Sequence, residues 1–142
     1  MIIVTVNGCF DVLHIAHLRL LQEARKLGDR LIILLNSDES VRRLKGEGRP
    51  INNLCDRIEM LKGLSCVDEV IVFEEDTPLR VLSVVKPNIH VKGGVYVKEL
   101  VDEEKKLVES LGGKVVFITP PKKYSSTNLI GKLKTCGDDG KL

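Results

Sequence analysis

The chain has 142 residues, 43% hydrophobic and 30% charged, with a formal net charge of +2, the profile of one soluble globular domain. Such a balance offers no basic surface for nucleic acid or a membrane, and three Phe, two Tyr and no Trp argue against a base-stacking platform for single strands. Four cysteines, Cys9, Cys55, Cys66 and Cys136, form no CxxC pair that would suggest zinc, and without a signal peptide or a membrane-length apolar run they read as reduced thiols of a cytoplasmic protein.

In chain order, the β-branched run at residues 2–6 (IIVTV) is a strand, and residues 17–28 form an amphipathic helix closed by Gly28. The continuous apolar run at residues 30–35 is a fully buried strand. Asn36, Ser37 and Asp38 cap a short helix that runs through Leu44. Residues 45–53 (KGEGRPINN) are loop chemistry. A helix follows over 54–64, a strand over 69–73, and a helix over 78–85 with proline in its first turn. Residues 88–92 are a strand, 98–111 a helix closed by Gly112 and Gly113, and 114–118 the last strand. Residues 126–134 form a short terminal helix and 135–142 a polar tail that frays. One domain therefore occupies residues 1–134.

Five strands separated by helices predict an α/β, doubly wound, five-stranded parallel sheet of Rossmann-like type. Ligands in that architecture lie beyond the carboxyl ends of the strands. The loops beginning at Asn7, Asn36, Gly93 and Thr119 are expected to line one site.

Residues 7–17 (NGCFDVLHIAH) are the most telling stretch. A strand ends at Asn7 and Gly8, two histidines follow three apart, and a helix opens beside them. Free N–H groups and the dipole of a helix start attract anions, and imidazoles can donate to phosphoryl oxygens. Alone, His14 and His17 are equally compatible with two surface histidines, and a metal pair lacks further ligands, the third histidine being His90 within a strand. No GxGxxG follows the first strand and no P-loop pattern occurs. Support for phosphate comes from Ser125, Ser126 and Thr127 before the last predicted helix, more hydroxyls than one cap needs. Lys45 on a glycine-flanked loop, with Arg57 in the following helix, reads as a lid over a charged substrate or as a solvated loop. Lys92-Gly93-Gly94-Val95-Tyr96 ends a strand, where paired glycines let a flat base approach the backbone or simply turn the chain.

Together these residues resemble the nucleotidylyltransferase superfamily marked by an HxGH motif, here His14-Ile15-Ala16-His17, and a later SST motif, here Ser125-Ser126-Thr127. The likeness extends from Ile2 to about Leu133. It is strongest to the heptose 1-phosphate adenylyltransferase family, through NGCFD at 7–11, ARKLGD at 24–29, RLKGEGRP at 43–50, FEEDTP at 73–78 and VKGG at 91–94. The resemblance implies that ATP, carried with Mg²⁺, and a sugar 1-phosphate give an ADP-sugar and pyrophosphate. It implies a homodimer, no protein metal site, and a sugar kinase on a separate polypeptide. His14, His17, Lys45, Arg57 and Thr127 then carry the phosphoryl chemistry. Asn7, Gly8, Cys9, Phe10, Lys92, Gly93, Tyr96, Ser125 and Ser126 border the nucleotide, and Asp11 and Asp38 face the second substrate.

Three positions depart from the pattern. Ala16 stands where the motif has glycine, and its methyl is expected to crowd the nucleotide. Val95 stands where related patterns carry an acid. Pro120 stands where cytidylyltransferases carry an arginine, which weighs against the alternative of a CTP-dependent enzyme acting on glycerol 3-phosphate. Ala16 and Val95 also motivate a second class of reading, a nucleotide-binding module without catalysis.

Overall fold

The computed structural model describes residues 1–93 and 98–118. Within them the order is β1 (Ile3–Gly8), α1 (Ile15–Arg25), β2 (Arg30–Asn36), α2 (Asp38–Lys45), α3 (Leu54–Lys62), β3 (Glu69–Phe73), α4 (Leu79–Val85), β4 (Ile89–Gly93), α5 (Lys98–Ser110) and β5 (Lys114–Ile118). All five strands are parallel, in the order β3-β2-β1-β4-β5. The doubly wound expectation holds, and β3 and β5 have the predicted bounds. The terminal helix expected at 126–134 and the tail lie outside the described residues.

Parallel strands covered on both faces read as unbroken apolar runs. β2 is the clearest case, with Leu31, Ile32, Ile33, Leu34 and Leu35 all buried. One core joins Val4, Val6, Ile33 and Val91 to Leu20, Leu21 and Ala24 of α1 and Leu61 of α3. The other joins Ile32, Leu34 and Phe73 to Val81 and Leu82 of α4 and Val108 of α5. The helices thus divide between the two faces. Among the described residues no helix is long and apolar enough to cross a membrane.

The chain builds outward from β1 through β2 to β3, then returns to lay β4 on the other side of β1. This reversal of winding opens a crevice at the carboxyl ends of β1 and β4, the position where open α/β sheets hold ligands. Asn7 and Gly8 stand at one lip, Lys92 and Gly93 at the other.

Candidate functional site

The predicted helix start is two residues late, for a physical reason. α1 begins at Ile15 because the imidazoles themselves cap it. His14, at the N-cap, accepts a hydrogen bond at Nδ1 from the Ala16 N–H (3.2 Å). His17, at the third helical position, accepts at Nδ1 from the His14 N–H (3.4 Å). This is the reciprocal logic of a capping box, with histidines in place of the usual Ser/Thr and Glu. The rings stack 3.9 Å apart between centroids, and Phe10 meets His17 edge-on at 5.2 Å.

The caps fix the chemistry of the pair. A nitrogen that accepts from a backbone N–H carries no proton, so each neutral ring holds its proton on Nε2. Burial pushes the His17 pKa down to about 4, helped by the nearby His14 charge, and burial also lowers His14. Both rings are therefore neutral Nε2–H donors near pH 7. The His14 Nε2 is buried with no hydrogen-bond partner among the described residues, an orphan donor of the kind that marks a ligand position. The caps also engage two helix-start N–H groups that the sequence reading left open for an anion. Ala16 is buried in the first turn of α1 and has no left-handed backbone angle, so its place in the helix does not call for glycine.

The loop after β1 is held under strain. Phe10 has φ +46°, a region that L residues occupy at a cost of order 1 kcal/mol or more. Its buried ring folds back over Gly8, where a Cβ would lie 2.9 Å from the ring. Gly8 is there to admit that ring.

Asp11 and Arg57 have different roles from those expected. Asp11 is buried and faces the lid loop: Arg49 Nε (2.7 Å), the Ile51 N–H (2.8 Å) and the Asn52 N–H (2.8 Å) all donate to its carboxylate. Burial pushes this carboxyl up, but the donors outweigh it and hold it below the usual range. With both oxygens occupied, Asp11 anchors the lid rather than contacting a metal or sugar. Arg57 is only 1% exposed. It donates to the carbonyls of Asn52 (3.0 Å), Cys9 (2.9 Å) and Asn36 (2.8 Å) and to Asp38 Oδ1 (2.7 Å). Four hydrogen bonds leave it no free fork for a phosphate, so it acts as a strut beneath the loops. Asp38, expected to face substrate, is its partner.

Lys45 ends α2 with its side chain exposed. Gly46 (φ +98°) and Gly48 (φ +85°) then turn the lid tip through left-handed conformations that favour glycine. The Cys9 thiol is raised by burial, against lowering by the charges of Lys45, Arg57 and Arg49. The end of β1 therefore lies near three cations, of which Arg49 and Arg57 are paired with Asp11 and Asp38.

At the other lip, Lys92 Nζ donates to Asn7 Oδ1 (2.9 Å) and pairs with Glu104 Oε2 (2.9 Å). Gly93 has a reason other than access for a base. A Cβ there would lie 2.8 Å from the Leu20 side chain, so the glycine lets α1 close on the sheet. Tyr96, Ser125, Ser126 and Thr127, with Val95 and Pro120, lie outside the described residues. Arg49, Asn52, His90 and Glu104 are partners that the sequence reading did not assign. The crevice as described combines neutral imidazole donors, nearby cations and an anchored lid, an arrangement suited to a polyanion.

The cytidylyltransferase-like family model matches residues 5–132. The bifunctional protein HldE of Geotalea uraniireducens is 49% identical over 133 residues, covering 94% of this chain and 27% of that protein. HldE of Haemophilus influenzae is 49% identical over 136 residues, covering 96% of this chain and 28% of that protein. The chain thus spans about a quarter of the length of these curated relatives. Among solved structures, the lipopolysaccharide core biosynthesis protein of Thermoplasma volcanium superposes with a TM-score of 0.71 at 30% identity, over 88% of this chain and 99% of that one. TmcAL of Thermotoga maritima, solved with alpha-thio ATP, shares the fold with a TM-score of 0.68 at 16% identity, over 97% of this chain and 51% of that one.

Two outcomes test this geometry. Asp11→Asn removes the charge that holds three lid donors and is expected to cost about 3 kcal/mol, the scale for breaking a buried pair. Hydrogen exchange should then show the Ile51 and Asn52 amides losing protection while β2 amides exchange only as fast as the lowered global stability allows. Because His17 folds with a depressed pKa, the unfolded chain binds more protons below pH 6.5. The His17 contribution to denaturant stability should be lost from about pH 6.5 to about 4, with the depressed Asp11 carboxyl continuing the decline at lower pH, and His17→Gln should show a shallower decline between about pH 6.5 and 4.

Proposed function

The chain belongs to the cytidylyltransferase-like family, and on that premise we propose that it is a nucleotidylyltransferase, moving AMP from ATP to a sugar 1-phosphate to give an ADP-sugar and pyrophosphate. A heptose 1-phosphate is the acceptor we propose. The blocks RLKGEGRP and FEEDTP and the 49% identity to HldE support that choice. A sugar kinase supplies the 1-phosphate, and the protein works in the cytoplasm as a homodimer.

The observation that carries the reading is the doubly capped histidine pair. A sugar phosphate is already an anionic nucleophile near neutral pH, so the site needs no strong base. It must align that oxygen with the α-phosphorus and stabilise charge on the transferring group and the departing pyrophosphate. His14 and His17 meet the second need as preset Nε2–H donors, oriented by the backbone before substrate arrives. They are neutral, so they donate without requiring protonation at working pH. Lys45 adds a cation from the lid. Asn7, Gly8, Cys9, Phe10, Lys92, Gly93 and Tyr96 border the nucleotide, and Ser125, Ser126 and Thr127 hold the β- and γ-phosphoryl oxygens. Arg57 and Asp11 act indirectly, by fixing the loops.

Mg²⁺ fits as a passenger of the triphosphate. Phosphate oxygens and water would be its ligands, since the Asp11 carboxylate already accepts from Arg49, Ile51 and Asn52. When bound, it would neutralise charge on the phosphates.

A pyrophosphate-release assay over ATP, CTP, GTP and UTP, each with heptose 1-phosphate, other sugar 1-phosphates and glycerol 3-phosphate, tests the proposal. ATP with heptose 1-phosphate should give the highest kcat/KM. Silence with every pair, despite ATP binding, rejects catalysis. His14→Ala and His17→Ala should each lower kcat by about 10²- to 10³-fold, the scale of one lost transition-state donor. A variant with unchanged kcat removes that histidine from the mechanism.

A further inference from the structure

A row of polar side chains crosses the otherwise apolar packing between the sheet and α5. Thr5 and Asn7 lie two apart on one face of β1, and His90 and Lys92 two apart on β4, with Thr5 paired to His90 in register. Thr5 Oγ1 lies 2.7 Å from His90 Nδ1, and His90 Nε2 lies 3.3 Å from Glu104 Oε2. Glu104 Oε2 lies 2.9 Å from Lys92 Nζ, which also donates to Asn7 Oδ1 at 2.9 Å. Thr5 and His90 are fully buried and Glu104 is 4% exposed. A buried row of this kind is often no more stable than an apolar one of equal volume, so stability alone does not account for it.

The donor pattern indicates the task. Burial keeps His90 neutral, and with Nε2–H facing the Glu104 carboxylate the donors converge on Glu104 from both sides. The Thr5 hydroxyl donates to Nδ1, Nε2–H donates to Glu104, and the Lys92 ammonium donates both to Glu104 and to Asn7. Asn7 Oδ1 is thereby committed to Lys92, which sets which end of its amide is left over. Asn7 offers two Nδ2–H donors, and Lys92 has one N–H beyond its two described partners. These groups stand at the reversal of winding between β1 and β4. Without a fixed acceptor for Lys92, the ammonium is free to swing and the amide free to flip.

We propose that Glu104, supported by His90, is a positioning residue for the nucleotide: it holds Lys92 in place, and through Lys92 it locks the Asn7 amide with its N–H donors toward the crevice. The inference rests on the nucleotide-binding reading of that crevice. Glu104 touches no substrate.

Calorimetric titration of the full chain with ATP and Mg²⁺ tests it, in a double-mutant cycle of Glu104→Gln and Asn7→Ala. Each single variant should weaken the Kd about tenfold, the scale of one well-placed hydrogen bond. The double variant should be no weaker than the singles, since both act through one amide. Multiplication to about a hundredfold overturns the proposal, as does a Glu104→Gln protein with wild-type affinity. Glu103→Gln, exposed on the same helix, should leave the Kd unchanged. Asn7→Asp is a second arm that keeps an acceptor for Lys92 but removes the donors. It should lose ATP affinity at least tenfold with an unchanged melting temperature, and retained affinity overturns the donor role. Failure of the wild-type chain to bind ATP overturns the nucleotide reading as well, whereas wild-type binding with insensitivity to Glu104→Gln overturns this inference alone.

Discussion

The arrangement of the crevice depends on one buried guanidinium. Arg57 gathers three backbone carbonyls from separate stretches of chain, at Cys9, Asn36 and Asn52, and closes on Asp38. Each carbonyl belongs to a loop or strand end that would otherwise need its own partner under the lid. A planar cation with a fixed fork satisfies them together and sets the distances between them. Removing it would strand three acceptors and a carboxylate at once, so the loop after β1, the loop after β2 and the base of the lid form one mechanical unit. The Asp11 clasp on Arg49, Ile51 and Asn52 repeats the device with the opposite charge.

The polar column at β4 applies the same logic on the far side of the sheet. There an anion, Glu104, steadies a cation, Lys92. The crevice thus lies between two charge-balanced supports, one under the lid and one behind the reversal of winding. Groups left to meet a ligand, such as the histidine Nε2–H atoms, carry no net charge. Electrostatic attraction falls to exposed Lys45, while orientation falls to neutral donors.

The sheet was legible in the sequence because it depends on local patterning. An unbroken run such as 31–35 has few other homes than a covered parallel strand, and two strands have their expected limits. The crevice at the carboxyl ends of β1 and β4 was legible too, since it follows from the strand order. Partnerships were much less so. Arg57 reads as a cation for a charged substrate because nothing in residues 54–62 announces three distant carbonyls. Asp11 meets its donors 38 to 41 positions away. Glu104 sits in the charged run DEEKK, where nothing announces a buried partner. The start of α1 was misplaced because capping rules anticipate small polar residues, and here the caps are imidazoles.

Those imidazole caps also shape how the protein can change over time. In most sites a ligand-binding side chain is dispensable to the fold, so it can be exchanged while the scaffold persists. Here the two rings that face the crevice also start α1, whose Leu20 and Leu21 belong to the central core. On the proposed role of the rings, a substitution at either histidine would weaken ligand contact and fray a core helix in one step. Loss of function and loss of foldedness become a single event, which narrows the mutational routes by which this scaffold can drift to a new ligand while keeping α1 intact.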